Sequence, residues 1–210
     1  MAHSVLHIDD AERIPMEDFT WRPLRRALGT TAFGINGYTA AAAGDEVIET
    51  HDETGTGAAG HEELYLVVAG EATFTVDGET VPAPAGTMLL VPPEVERGAV
   101  AVAPGTTVLV IGGVPGAVGP RSVFEHWYAA EPAYHAGDYA KAVEIASVGL
   151  ADHPEHPSLR YQLACYEALR GNREQAIEHL KIAFEKNPKT REWAAGDDDL
   201  ASVRDDPALR

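Results

Sequence analysis

One cysteine in 210 residues rules out an intramolecular disulfide, and with it a disulfide-stapled secreted scaffold. A reducing compartment fits, and the chain is read as cytoplasmic. Cys165 itself sits in "YQLACYEAL" among apolar helical neighbours. No basic activator is nearby, so it reads as a small core thiol rather than a nucleophile. Long apolar runs are also missing: nothing approaches the ~18 residues a membrane span needs. The N-terminal "MAHSVLHIDDAERIP" has neither a basic flank nor an apolar run, which argues against a signal peptide. Positive charge is scarce, with 16 Lys and Arg against 33 Asp and Glu and a net charge of −17. That field repels phosphate backbones and anionic lipid, so nucleic acid and membrane surfaces are poor partners and none is expected. No nucleotide-binding glycine loop, nucleophile triad or zinc-type cysteine set occurs.

What is present falls into two halves with different periods. Up to about residue 111 the signals are short and β-like: "ELYLVV", "ATFTV", "TMLLV" and "TTVLVIGG". Asp77-Gly78 lies between two such runs, the dipeptide that suits a type I′ hairpin turn. Closely spaced strands without helical pattern between them predict a β-sandwich or closed barrel. "GGVPGAVGPR", residues 112–121, is too rich in glycine and proline for a regular element and reads as a linker.

Beyond it the period becomes helical. "GDYAKAVEIASVGLADHP" and "GNREQAIEHLKIAFEKNP" superpose without a gap. Gly137 matches Gly171, Ala142 matches Ala176, Leu150 matches Phe184 and Pro154 matches Pro188, each at a step of 34. This stretch resembles tetratricopeptide repeats, which implies two antiparallel helices per unit. Pro132 departs from the pattern and predicts a kinked or late-starting first helix. In the tail, Trp193, Leu200 and Val203 are expected to form the apolar stripe of a capping helix.

The β half carries a denser chemical signal. His51, Asp52, Glu53, His61, Glu62 and Glu63 bracket a glycine-rich loop just before a strand. Side chains alternate along a strand, so His61 shares a face with Glu63, and His51 shares one with Glu53. If both faces turn inward, two imidazoles and one or two carboxylates converge.

Glu63 and Gly70 keep a six-residue spacing around "LYLVVA", with Gly44 upstream; Gly86 and Pro92 keep the spacing Gly-x5-Pro. On these residues the stretch from about 30 to 112 resembles the cupin family. The resemblance implies a small β-barrel with an internal pocket. It also implies a divalent-metal site built from histidines and a glutamate. Only Glu63 falls squarely on a ligand position. His51-Asp52-Glu53 occupies the His-x-His place at best, and the second-motif histidine falls on Arg97.

A guanidinium stays protonated, has no lone pair and cannot be a ligand. It pairs with Glu63 or Glu53, or grips an organic carboxylate. The expected architecture is therefore an α+β multidomain chain. It has an N-terminal cupin β-barrel (1–111), a linker (112–121) and C-terminal all-α tetratricopeptide helical hairpins with a cap (122–210). The expected function is non-catalytic: the pocket holds a small, acidic molecule through Arg97, His61, Glu63 and Tyr65, and the repeats dock a peptide or protein. The alternative is a dioxygenase-like or isomerase-like metal enzyme holding Fe, Mn, Ni or Zn through His51, His61 and Glu63, with Glu53 as a further donor. A homodimer formed through the barrel is expected in either case.

Overall fold

The computed structural model describes residues 4–54 and 60–210, so most of the glycine-rich insertion lies outside the described residues. The chain divides into two compact units, one ending at Val118 and the other running from Gly119 to Arg210.

The first unit contains β1 (Ile14–Pro15), β2 (Phe19–Arg22), a short helix α1 (Leu24–Leu28), β3 (Gly34–Ala40), β4 (Glu46–His51) and β5 (Glu62–Ala69). It continues with β6 (Glu71–Val76), β7 (Glu79–Pro84), β8 (Met88–Val91), β9 (Arg97–Ala101) and β10 (Thr107–Gly113). Two antiparallel sheets form, in the orders β1-β2-β3-β10-β5-β8 and β4-β9-β6-β7. Alternation sorts the side chains. Tyr65 and Val67 of β5 and Val108 of β10 turn inward, as do Phe74 of β6 and Val47 of β4, all fully buried. Tyr65 and Phe74 meet edge to face with ring centroids 5.5 Å apart. The predicted turn is present: Asp77 and Gly78 both have positive φ, 48° and 77°, as a type I′ turn requires.

Two strands carry position-specific residues. On β7, an outer strand of its sheet, Pro82 and Pro84 lie opposite Thr73 and Glu71 of β6. On β9, a Cβ at Gly98 would lie 2.5 Å from Thr50 Oγ1 and 3.2 Å from its Cα. Only glycine permits that approach of β9 to β4, and the approach sets Arg97 opposite His51.

The second unit is helical: α2 (Val123–His135), α3 (Tyr139–Ser147), α4 (Pro157–Leu169), α5 (Arg173–Lys186) and α6 (Lys189–Gly196). α2 packs on α3 and α4 on α5, with Ala142 and Ala176 fully buried. The starts of α2 and α4, and those of α3 and α5, repeat the 34-residue step of the sequence. Gly137 and Gly171 follow α2 and α4 with left-handed φ of 76° and 85°.

Pro132 does not delay the first helix. α2 begins at Val123, where Ser122 accepts the Glu125 N–H, and runs past the proline to His135. The expected apolar stripe is also revised: Leu200 and Val203 are buried, but Trp193 is 47% exposed. Cys165 is buried as expected, its thiol pushed up by burial and then by Asp197. Among the described residues no helix is long and apolar enough to cross a membrane.

Candidate functional site

The first unit encloses a cavity of about 220 Å³. Alternation along β5 turns Glu63 and Tyr65 to its wall. Across from them β4 shifts register between Ile48 and His51, a bulge-type irregularity. That irregularity lets Ile48, Glu49 and His51 all reach the wall. Tyr38 of β3 adds a second phenol, and Phe19 and Val110 supply apolar surface.

The imidazole of His51 is held by its own strand. Nδ1 lies 2.6 Å from the Glu49 carbonyl oxygen, so Nδ1–H donates and Nε2 is left facing inward. Nε2 is 3.6 Å from Glu63 Oε2 and 3.9 Å from Glu53 Oε1. The neighbouring Glu63 carboxylate raises the His51 pKa above its ordinary value. Tyr65 donates its hydroxyl to the same Glu63 oxygen, and burial with this bond holds the phenol protonated. Burial pushes the Glu63 carboxyl up, but His51, Tyr65 and Arg97 together outweigh it and leave the pKa lowered.

Arg97 turns inward and is fully buried. One of its guanidinium nitrogens, Nη1, donates to the Val95 carbonyl at 2.9 Å, and Nη2 lies 3.5 Å from Glu63 Oε2. It stands behind Glu63 and is not part of the cavity wall. The wall itself is acidic. Tyr38 is pushed up to about 12, by burial first and then by Glu63, Glu49 and Glu53. Three carboxylates are felt at that hydroxyl against one guanidinium already committed to Glu63.

The structure therefore brings together His51, Glu53 and Glu63, whose donor atoms lie within 4.8 Å of one another. It leaves His61 outside this set. His61 precedes the first residue of β5 and lies on the same side as Glu63, whose Cγ and Oε1 also approach Gly112. Its Nδ1 lies beside Gly112 on β10. Glu49 and Tyr38 were not anticipated. The "GINGYTA" strand is glycine-broken, and a bulge admits Glu49 where strict alternation would turn it away.

One imidazole and two carboxylates would suit Mn²⁺, Fe²⁺, Ni²⁺ or Zn²⁺ by donor chemistry. The surroundings do not fit a bound ion. The central carboxylate is already paired with a permanent cation, the buried Arg97 guanidinium 3.5 Å from Glu63 Oε2.

Two antiparallel sheets thus surround a cavity into which their strands project a polar cluster. The comparisons place the fold further: residues 47–113 match the family model described as "Cupin domain", so the first unit carries a cupin domain. No curated protein sequence matches the chain. Among solved structures, a cupin protein from Bacteroides fragilis is 21% identical, over 58% of this chain and 92% of that one, with a TM-score of 0.44. KdgF from a Halomonas species is 18% identical, covering 53% and 93%, with a TM-score of 0.44. A Thermotoga maritima protein described as a predicted oxalate decarboxylase is 17% identical, covering 53% and 99%, with a TM-score of 0.43.

Proposed function

We propose that the barrel cavity binds a small neutral or cationic, hydrogen-bonding molecule without a metal. The helical unit, read as a tetratricopeptide module, docks a peptide segment of a partner protein. The observation that carries the first half is the buried Arg97 guanidinium, 3.5 Å from Glu63. It supplies the positive charge that a metal would otherwise bring to that carboxylate. Tyr38 and Tyr65 remain protonated, and His51 and Glu63 add a charged pair on the wall. The acidic wall disfavours the acidic ligand that Arg97 suggests on sequence grounds. The 34-residue step and the paired helices support the second half of the proposal. The barrel is proposed to form a homodimer, and light scattering at one chain's mass of 22.4 kDa would contradict that.

Elemental analysis of protein purified without affinity-tag metals tests the metal-free reading. The wild type is expected to carry no stoichiometric iron, manganese, nickel or zinc. Arg97→His is expected to gain affinity for Ni²⁺ or Zn²⁺, because a lone pair replaces the cation. Stoichiometric metal in the wild type that disappears in His51→Ala would overturn the reading and favour the metal-dependent enzyme. For that alternative the His51, Glu53 and Glu63 cluster is the supporting observation.

A further inference from the structure

The helical unit holds a larger cleft than the barrel, about 800 Å³. Three helices build it from residues far apart in sequence. Phe124 and Trp127 come from one turn of α2, Tyr161 from α4, and Trp193 from α6, with Asp197 and Asp198 just beyond. Phe124 and Trp193 are each about half exposed, at 49% and 47%, a large apolar area to leave in water. No lysine, arginine or histidine lines the cleft.

The rings are held in place by acids. Trp127 donates its indole N–H to Glu131 at 2.7 Å. Tyr161 donates its hydroxyl to Asp197 at 2.7 Å and meets Trp193 edge to face at 5.7 Å. Trp127 stacks with Phe124 at 5.9 Å. These bonds fix ring orientation and at the same time make the potential around the rings negative. An aromatic face carries its own negative quadrupole and attracts cations that come within about 6 Å. Both sources of potential favour a positive occupant. Of the cationic side chains, arginine matches best: its planar group stacks on rings and its fork pairs with a carboxylate. The volume exceeds what a lone ammonium or guanidinium fills and accommodates several residues of a peptide.

We propose that this cleft binds an arginine-bearing peptide segment of a partner protein, the guanidinium seated among Trp127, Tyr161 and Trp193 and paired with Asp197 or Asp198. This rests on the peptide-docking reading above and names its ligand class. The complementarity extends to the whole chain, whose net charge of −17 attracts basic partners.

The test uses the full-length chain and decapeptides of Gly and Ser carrying no, two or four arginines, with a matched glutamate series, titrated by calorimetry. Saturable one-to-one binding that strengthens with arginine content is expected. It should weaken at least fivefold in Trp193→Ala and in Asp198→Asn, recover in part in Trp193→Phe, and stay unchanged in Glu79→Gln on the barrel. Unchanged far-UV circular dichroism and melting of Trp193→Ala would show that the loss is not unfolding. An equal loss in Glu79→Gln would reduce the effect to general charge attraction and overturn the site. Glutamate peptides that bind and are lost in Trp193→Ala would overturn the cationic assignment and leave peptide docking standing. Titrations in which no peptide of either series responds to Trp193→Ala would remove both.

Discussion

The two units each bury a knot of carboxylates and hydroxyls, and they neutralise it differently. In the barrel, Glu63 accepts from the Tyr65 hydroxyl and faces two nitrogen groups, the Arg97 guanidinium and His51. In the helical unit, Asp197 accepts from the Tyr161 hydroxyl and the Cys165 thiol, and Asp199 from the Tyr134 hydroxyl at 2.9 Å. The donors there are neutral. Arg204 comes close but gives its bond to the Asp197 main-chain oxygen. In the barrel knot Glu63 thus has a permanent buried counter-charge in Arg97. The helical knot is left with excess negative charge beside an aromatic cleft. Burial, then the neighbouring acids, raises the Asp199 pKa, whereas Glu63 is lowered.

Removing a charge therefore has opposite consequences in the two places. The largest effect is expected for Arg97→Ala. It strands Glu63 without its buried counter-charge and opens a void, so it should cost about 3–5 kcal/mol in urea denaturation followed by circular dichroism. A loss below about 1 kcal/mol would show that the barrel knot is not an ion pair in solution.

Next in size is a pH effect, in which two histidines differ as the two knots do. His179 is buried on α5, accepts from Arg160 at 2.9 Å, and is lowered to about 4 by burial and then by Arg160. Between its unfolded value near 6.5 and about 4, the unfolded chain binds the extra proton. Stability contributed by neutral His179 is therefore complete above about pH 6.5 and lost as the pH falls, amounting to about 2–3 kcal/mol by pH 4. His179→Gln should flatten that slope in denaturation midpoints compared across pH 7, 5.5 and 4. His51 has the opposite sign. Its folded pKa is raised, so its contribution is present below the unfolded value and fades as the pH climbs through the folded one.

The smallest effect is expected for Asp199→Asn. It keeps an acceptor for Tyr134 and relieves repulsion from Asp197 and Asp198, so stability at pH 7 should change by less than about 0.5 kcal/mol or rise slightly. A loss comparable to that in Arg97→Ala would erase the distinction between the knots.

Much of this was readable from residue order, where one local rule acts alone. Alternation along "EELYLVVA" sends Glu63, Tyr65 and Val67 to one face. Asp77-Gly78 names its turn, and the step of 34 recurs in the helix starts. The motif spacing put Arg97 where a histidine is expected, and β9 then turns it inward with Ala99 and Ala101. What escaped depends on irregularity or on distance. The register shift in β4 admits Glu49 to the cavity, and no alternation rule anticipates it. His61 lies on the same side as Glu63 yet outside the converging donor set, a distance that alternation alone does not fix. The aromatic cleft needs α2, α4 and α6 side by side, with members some 30 residues apart, so no window of sequence contains it. Order along the chain groups Trp193 with Leu200 and Val203 in one apolar stripe for that reason: its packing face becomes visible only when the helices are assembled.

The prolines of β7 have one more consequence. Both have the same parity along the strand, so the positions lacking N–H groups face away from β6, along the outer border of the four-stranded sheet. Another chain trying to extend the sheet there would meet missing donors at Pro82 and Pro84. Open-ended fibre growth from that border is thereby discouraged.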